Sequence, residues 1–124
     1  GNDNEVQGGY NRYPEYAAAG MYTTAPDLAR MIMMLNRQGQ INGNQILSAS
    51  SADNIAQSGV GVFSGGFNAD NPHYTHGGTN RGFRSVFVGF PDIGAGVVVM
   101  TNRQNRTTGF RRQVAQAVID AYNW

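Results

Sequence analysis

The second half of the chain contains two apolar segments joined by a short turn. Residues 84–90 (RSVFVGF) and 95–100 (AGVVVM) are rich in Val and Phe, and residues 91–94 (PDIG) between them have the composition of a turn. Two such segments around a Pro-Asp-x-Gly turn predict an antiparallel β-hairpin. The nearly unbroken apolar character of residues 97–100 predicts a strand that is buried on both faces.

Helical patterns lie on both sides of this hairpin. Residues 24–27 (TAPD) form a capping box, and apolar residues at 28, 31, 32 and 35 follow at helical spacing, with Gly39 as the C-terminal cap. A second, shorter helix is predicted from a capping pattern at residues 50–53 (SSAD). The last helix is predicted to begin at Thr107 or Thr108. Its predicted buried face consists of Phe110, Val114, Ala117, Val118 and Ala121.

Shorter signals complete the order of elements. Asn42-Gly43 predicts a tight turn, residues 59–63 (GVGVF) a weak strand, and residues 74–78 (YTHGG) a stronger strand that ends in a Gly-containing turn. Helix, short helix, three or four antiparallel strands and helix make an α+β pattern, a partial antiparallel sheet with flanking helices. We expect one partial domain over residues 1–124. It consists of an extended loop at 1–16, a helical segment at 17–58, and the sheet hairpin with its C-terminal helix at 59–124.

Composition excludes several kinds of chemistry. The chain has no Cys, and its nine basic residues are all Arg. Without Cys there is no disulfide framework, thiol nucleophile or Cys-based metal site. Without Lys the chain cannot itself supply a Schiff base, a phosphate-loop lysine, or a Ser-x-x-Lys or Lys-Thr-Gly motif. A net charge of +1 gives no reason to expect a nucleic-acid binder. No apolar run approaches the ~18 residues of a membrane span, and no signal peptide is visible.

The most suggestive motif is residues 76–79 (HGGT). Two adjacent glycines allow another group to approach the backbone closely. Backbone N–H groups there can act as oxyanion donors, and His76 offers an imidazole that titrates near neutral pH. The plainer interpretation is a glycine turn beside an ordinary surface histidine, and the tetrapeptide alone favours it.

Two other groupings are weaker. His73 and His76, with Asp70 nearby, have a metal-ligand spacing, but residues three apart in a strand point to opposite faces, so we expect no metal site and no cofactor. Four arginines lie close together and offer a phosphate or carboxylate site, or simply a solvated helix start. They are Arg103, Arg106, Arg111 and Arg112.

Three ordered segments resemble one enzyme family. Residues 17–30 (AAAGMYTTAPDLAR) are similar to the AGGLYSTAxDLA stretch of class C β-lactamase-related serine hydrolases, which include penicillin-binding proteins and related esterases. Residues 76–83 (HGGTNRGF) resemble the His-x-Gly box of this family, and residues 91–102 (PDIGAGVVVMTN) its turn and last core strand. The resemblance covers roughly residues 8–123.

The resemblance implies a division of roles. In the family a Ser attacks an acyl carbonyl, a Lys three residues later activates it, and a Tyr assists proton transfer. Carried over to this chain, His76 takes the first position of the box, and Gly77 and Gly78 line the substrate edge. The N–H of Thr79 is then an oxyanion donor. Asn105 falls where class C enzymes contact a substrate carboxylate.

The departures from the family are equally informative. Neither Ser-x-x-Lys nor Tyr-x-Asn occurs in the chain, and the family places both upstream of the segments seen here. We therefore expect the C-terminal part of a bacterial hydrolase, inactive alone, whose partners are the missing N-terminal segment and a small acyl or peptide substrate. An exposed sheet edge would favour a homodimer or strand exchange. The family implies a periplasmic or extracellular location.

A non-enzymatic alternative also fits the sequence. A relative that kept the fold and lost catalysis would bind peptidoglycan-like ligands or a protein partner. The binding surface would consist of Arg81, Arg84 and the arginines at 103–112. An arginine-based nucleic-acid binder is the weakest interpretation, because no aromatic residues interleave with the arginines.

Overall fold

The protein is described here by a computed structural model over residues 16–102 and 109–124. These residues form four α-helices and six β-strands in an α+β arrangement, which confirms the predicted fold class. The elements are α1 (Tyr16–Ala19), α2 (Ala25–Asn36), β1 (Gln40–Ile41), β2 (Asn44–Gln45), α3 (Ala49–Ala56), β3 (Phe63–Ser64), β4 (Tyr74–Asn80), β5 (Phe83–Phe90), β6 (Ala95–Thr101) and α4 (Phe110–Tyr122). No helix within these residues is long and apolar enough to cross a bilayer.

The main sheet has the strand order β3-β4-β5-β6, and every pair is antiparallel. The predicted hairpin is confirmed, since β5 and β6 pair from Phe90–Ala95 to Arg84–Thr101. The box at 76–79 lies inside β4 and not in a turn, because β4 continues to Asn80 before Gly82, at φ +80°, reverses the chain.

Helices cover both faces of this sheet. On one face, α2 and α3 pack against side chains that include Tyr74, Phe87 and Val98. On the other face, Ile119 of α4 packs against Val88 and Phe90. Successive strand residues point to opposite faces, so the apolar run of β5 contributes to both layers of the core.

Helix α2 forms as its sequence predicts. The Thr24 side chain accepts a hydrogen bond from the N–H of Asp27, and Pro26 occupies the first turn, where its missing N–H costs nothing. Leu28, Ile32 and Leu35 are buried. After the helix, Gly39 donates to the carbonyl of Met34 and adopts φ +83°. The structure thus confirms the predicted N-cap, whereas the C-cap is Arg37 and Gly39 closes the turn two residues beyond it.

Two element predictions are wrong in detail. Helix α3 is capped by Ser48, which accepts from the N–H of Ser51, and not by Ser50. The predicted strand at 59–63 is reduced to β3, because Gly59 and Gly61 adopt positive φ and turn the chain instead of extending it.

Two burial predictions also need correction. In α4 the buried residues are Ala115 and Ile119, while Phe110 is exposed. The small side chain of Ala115 lets the helix approach the sheet closely. Strand β6 contacts helices on both faces but is only partly buried, because it is the outermost strand of the sheet within the described residues. The predicted caps Thr107 and Thr108 lie outside those residues.

Candidate functional site

One edge of β4 is open where the HGGT box lies. Strand β3 pairs only with Tyr74 and Thr75, and within residues 16–102 and 109–124 no strand pairs with residues 76–80 on that side. The shortness of β3 follows from the glycine turns that precede it. An open strand edge presents unpaired backbone donors and acceptors to solvent or to a ligand.

The hydrogen-bonding register decides which groups face this edge. The N–H of Gly65 donates to the carbonyl of His73 at 2.8 Å, in register with the Phe63–Thr75 pair. Hydrogen-bonded pairs alternate along an antiparallel ladder, so every second residue of β4 after His73 directs its backbone groups to the same side. The N–H groups of Gly77 and Thr79 therefore face the open edge.

His76 stands at the start of the open edge. Its side chain is exposed, and neither ring nitrogen has a hydrogen-bond partner in the described part of the chain. The imidazole stacks instead on two rings, with centroid distances of 5.7 Å to Phe63 and 6.1 Å to Phe87. The nitrogens are thus available to a ligand at this edge.

His73 has a different environment. Its Nε2 accepts from the N–H of Phe67 at 3.2 Å, so Nδ1 carries the proton and donates to the carbonyl of Asn71. It packs near Phe90, on the sheet face opposite Phe87 and therefore opposite His76. No group of three His, Asp or Glu side chains is arranged for a metal ion within the described ranges.

Gly78 leaves room for the side chain of its neighbour across the strand pair. A Cβ on Gly78 would lie 2.5 Å from the Oγ of Ser85, whose hydroxyl has no hydrogen-bond partner among the described residues. A Cβ on Gly77 would lie 3.3 Å from the carbonyl oxygen of Ser85. The two glycines thus let β4 and β5 approach closely at the box.

Three arginines lie near the box, and one of them contacts it directly. Arg111 donates to the carbonyl of Gly78 and to the hydroxyl of Thr79, and Arg84 donates to the carbonyl of Asn80. Arg112 donates to the carbonyl of Gly66 and lies 4.3 Å over the Phe67 ring.

Arg111 lies in an electropositive environment. Burial lowers the pKa of its guanidinium, and the nearby charges of Arg84 and Arg112 lower it further. No carboxylate among the described residues forms an ion pair with these three arginines. Sequence reasoning placed Arg111 in a cluster but did not single it out, because its contact with Gly78 spans 33 positions of the chain. Asn105, Arg103 and Arg106 lie outside the described residues.

A cavity of about 600 Å³ opens beside the box. Its lining includes Gly78, Ser85 and Met100, together with residues 21–25, which lead into α2. The Ser85 and Met100 pair lies on the same face of the sheet as His76 and Phe87. Arg84 is the single charged residue in the lining and no acidic residue contributes to it, as far as the described residues show.

Comparison with known proteins gives one match. A family model described as Beta-lactamase matches residues 1–121. No curated protein and no solved structure matches the chain at a significant level. Because the family match extends over nearly all 124 residues, and the fold is the α+β arrangement described above, the chain belongs to the beta-lactamase family.

Proposed function

We propose that the chain provides the His-Gly-Gly strand of a serine acyl hydrolase, whose Ser-x-x-Lys nucleophile is supplied by an upstream segment of the parent protein. The observation that carries this proposal is the open edge of β4. There the exposed His76, whose ring nitrogens have no partner among the described residues, precedes two outward N–H groups. Family membership supports the reaction class, and a chain without Lys cannot supply the nucleophile pair.

The edge geometry supports specific roles in acyl transfer. The N–H of Thr79 would stabilise the oxyanion that forms when the serine attacks the acyl carbonyl. An extended substrate would lie along Gly77 and Gly78 as an added strand, pairing with the outward backbone groups of Gly77 and Thr79. His76 would hydrogen-bond to the reacting groups or relay a proton.

Arg111 extends the proposal to the substrate class. A guanidinium near the open edge that has no ion-pair partner among the described residues is suited to a carboxylate, which it binds through two parallel hydrogen bonds. This supports β-lactam or D-Ala-D-Ala substrates, which carry a carboxylate, over simple esters. The sequence-based candidate for this contact was Asn105, and its role stays a prediction.

The cavity beside Gly78 and Ser85 supports a shared active site. Its lining includes Ser85 and Met100 from the face that bears His76, and it exposes apolar side chains, Met21 and Phe110 among them. We infer that the upstream segment packs here and brings the serine to the edge of β4. A class C type of hydrolase or penicillin-binding protein, bacterial and periplasmic or extracellular, is the corresponding parent.

Complementation tests this function. The chain is mixed with the upstream segment encoded by the parent gene. Hydrolysis of a chromogenic cephalosporin and of a nitrophenyl ester is then followed, together with serine labelling by a fluorophosphonate. We expect no activity from the chain alone and activity from the mixture. His76→Ala should lower kcat/KM by roughly 100- to 10,000-fold.

The controls separate the proposal from its alternatives. Gln113→Ala, on the exposed side of α4, should leave activity unchanged. Labelling of a serine in the chain alone would overturn the division of the site between two segments. An upstream gene sequence without Ser-x-x-Lys and Tyr-x-Asn would favour the non-catalytic binding module instead.

A further inference from the structure

Among the described residues, the His76 imidazole is held by contacts with aromatic rings and not by hydrogen bonds. Phe87 lies across from His76 in β5, and Phe63 comes from β3 on the other side of β4. The planes of Phe63 and His76 are within 9° of parallel. Stacked aromatic pairs with centroids 4.5–7 Å apart are attractive beyond the area they bury.

Phe63 makes this contact although its side chain is not part of the buried core. Its side chain is 67% exposed, whereas Phe87 is 9% exposed. The preceding residue, Val62, is buried and anchors the chain, and the positive-φ glycines at 59 and 61 shape the loop before it. The loop therefore fixes the backbone through Val62 and presents Phe63 outward, beside the imidazole.

We propose that Phe63 is a positioning residue for His76. Stacking fixes the plane of the imidazole at the open edge of β4 while leaving both nitrogens without a partner among the residues that the structure describes. A hydrogen bond from the protein would orient the ring equally well but would occupy one of those nitrogens. The orientation of the ring follows from the geometry alone, and its catalytic consequence rests on the role proposed above for His76.

Nuclear magnetic resonance of the His76 ring protons tests the stacked orientation of the imidazole, and this test does not require a catalytically active protein. In Phe63→Ala the His76 ring-proton signals should move downfield towards random-coil positions, because the ring current of Phe63 is lost. Phe63→Tyr keeps a ring and should retain most of the shift. Val60→Ala truncates another exposed apolar residue of the same loop and should leave the signals in place. Unchanged His76 signals in Phe63→Ala would overturn the proposal.

Kinetics of the complemented hydrolase test the catalytic consequence. Phe63→Ala should lower kcat about two- to tenfold, the factor expected for the loss of one aromatic pair, with KM nearly unchanged. Phe63→Tyr should restore kcat. A loss confined to KM, or no rescue by Tyr, would refute the positioning role. If the mixture shows no hydrolysis while the ring-proton signals respond as expected, the proposed function fails and the orientation stands.

Discussion

At the scale of single residues, Tyr74 joins the sheet to α2. Its side chain is fully buried, and its hydroxyl donates to Oδ1 of Asn36 at 2.9 Å. The Asn36 amide donates in turn to the carbonyl of Ala95 at 2.8 Å, so one short chain of hydrogen bonds links β4, α2 and β6. Gly89 makes room for this ring, because a Cβ there would overlap the phenol of Tyr74.

Gly89→Ala is therefore expected to destabilise the protein by about 1–3 kcal/mol, the usual cost of overpacking a core. Urea unfolding measures the loss. Gly109→Ala is the matched control, since its Cβ would meet only the flexible side chain of Gln113. Equal losses of unfolding free energy in the two variants would contradict the idea that Tyr74 leaves no room for a Cβ at position 89.

The buried phenol of Tyr74 also makes the folding stability of the protein depend on pH. Burial raises the pKa of its phenol well above the ordinary value of about 10. The folded state then holds a proton that the unfolded state releases above about pH 10, so Tyr74's contribution to stability is complete below that pH and is lost as pH rises further. Chemical unfolding from pH 8 to 11 should show this decline. In Tyr74→Phe the decline should be shallower, and an equally steep one would count against the assignment.

At the scale of elements, hydrogen bonds from α4 and the residues after it anchor the loop between β3 and β4. The Gln116 side chain accepts from the N–H of Asn68 and donates to its carbonyl, and Asp70 donates to the carbonyl of Trp124. These contacts and the Arg112–Gly66 bond hold a loop of glycines and polar residues on the helix surface. The same helix carries Arg111, which donates to the carbonyl of Gly78 in β4.

Gln116→Ala should release this loop locally. Water can replace the lost bonds because Asn68 is exposed, so global stability should fall by only about 0.5–1.5 kcal/mol. Amide hydrogen exchange at Asn68 should become several-fold faster while exchange in β5 stays the same. Gln113→Ala, on the same helix, should change neither. Unaltered exchange at Asn68 would show that other contacts hold the loop.

The sequence predicted the elements with strong local signals and missed those decided by packing. The β5–β6 hairpin and α2 follow from periodicity and capping residues. The N-cap of α3 was misassigned because Ser48, Ser50 and Ser51 are chemically alike, and only the structure shows which hydroxyl meets an N–H. The buried face of α4 was missed because the small Ala115 packs closely and the larger Phe110 does not.

The candidate site also contains residues that the sequence predicts and residues that only the structure reveals. The HGGT box was visible because its residues are contiguous, and the structure places it at an open strand edge. Phe63 and Arg111 were not visible as partners of the box. Their contacts depend on how β3 and α4 fold back on β4, which no local pattern records.

At the scale of the whole molecule, the sheet has two open edges in the described part of the chain. Besides β4, the outer edge of β6 has no partner strand there, and its sequence, AGVVVMT, has no charged residue. Natural edge strands usually carry charges or prolines that discourage pairing with another chain. Among the partners expected from the sequence, a second copy or an exchanged strand would meet this edge.

We expect concentration-dependent association of the chain, measured by sedimentation velocity. Met100→Lys places a charge on β6 at a position that is already 41% exposed, so it should shift the equilibrium to monomer without unfolding the protein. Ile93→Lys makes the same change in the neighbouring turn, where Ile93 is 44% exposed, and should leave association intact. A chain that stays monomeric at every concentration would contradict the prediction.

The order of strands has a consequence for how the protein reaches its native state. In the main sheet each strand pairs with its neighbour in the sequence, and the β4–β5 and β5–β6 links are residues 81–82 and 91–94. Folding rates fall as contacting residues become more distant along the chain, because loop closure costs entropy before contacts form. Here the sheet forms by closing short loops, so its nucleation requires no contact with a distant segment. The strand bearing His76 can therefore form early in folding.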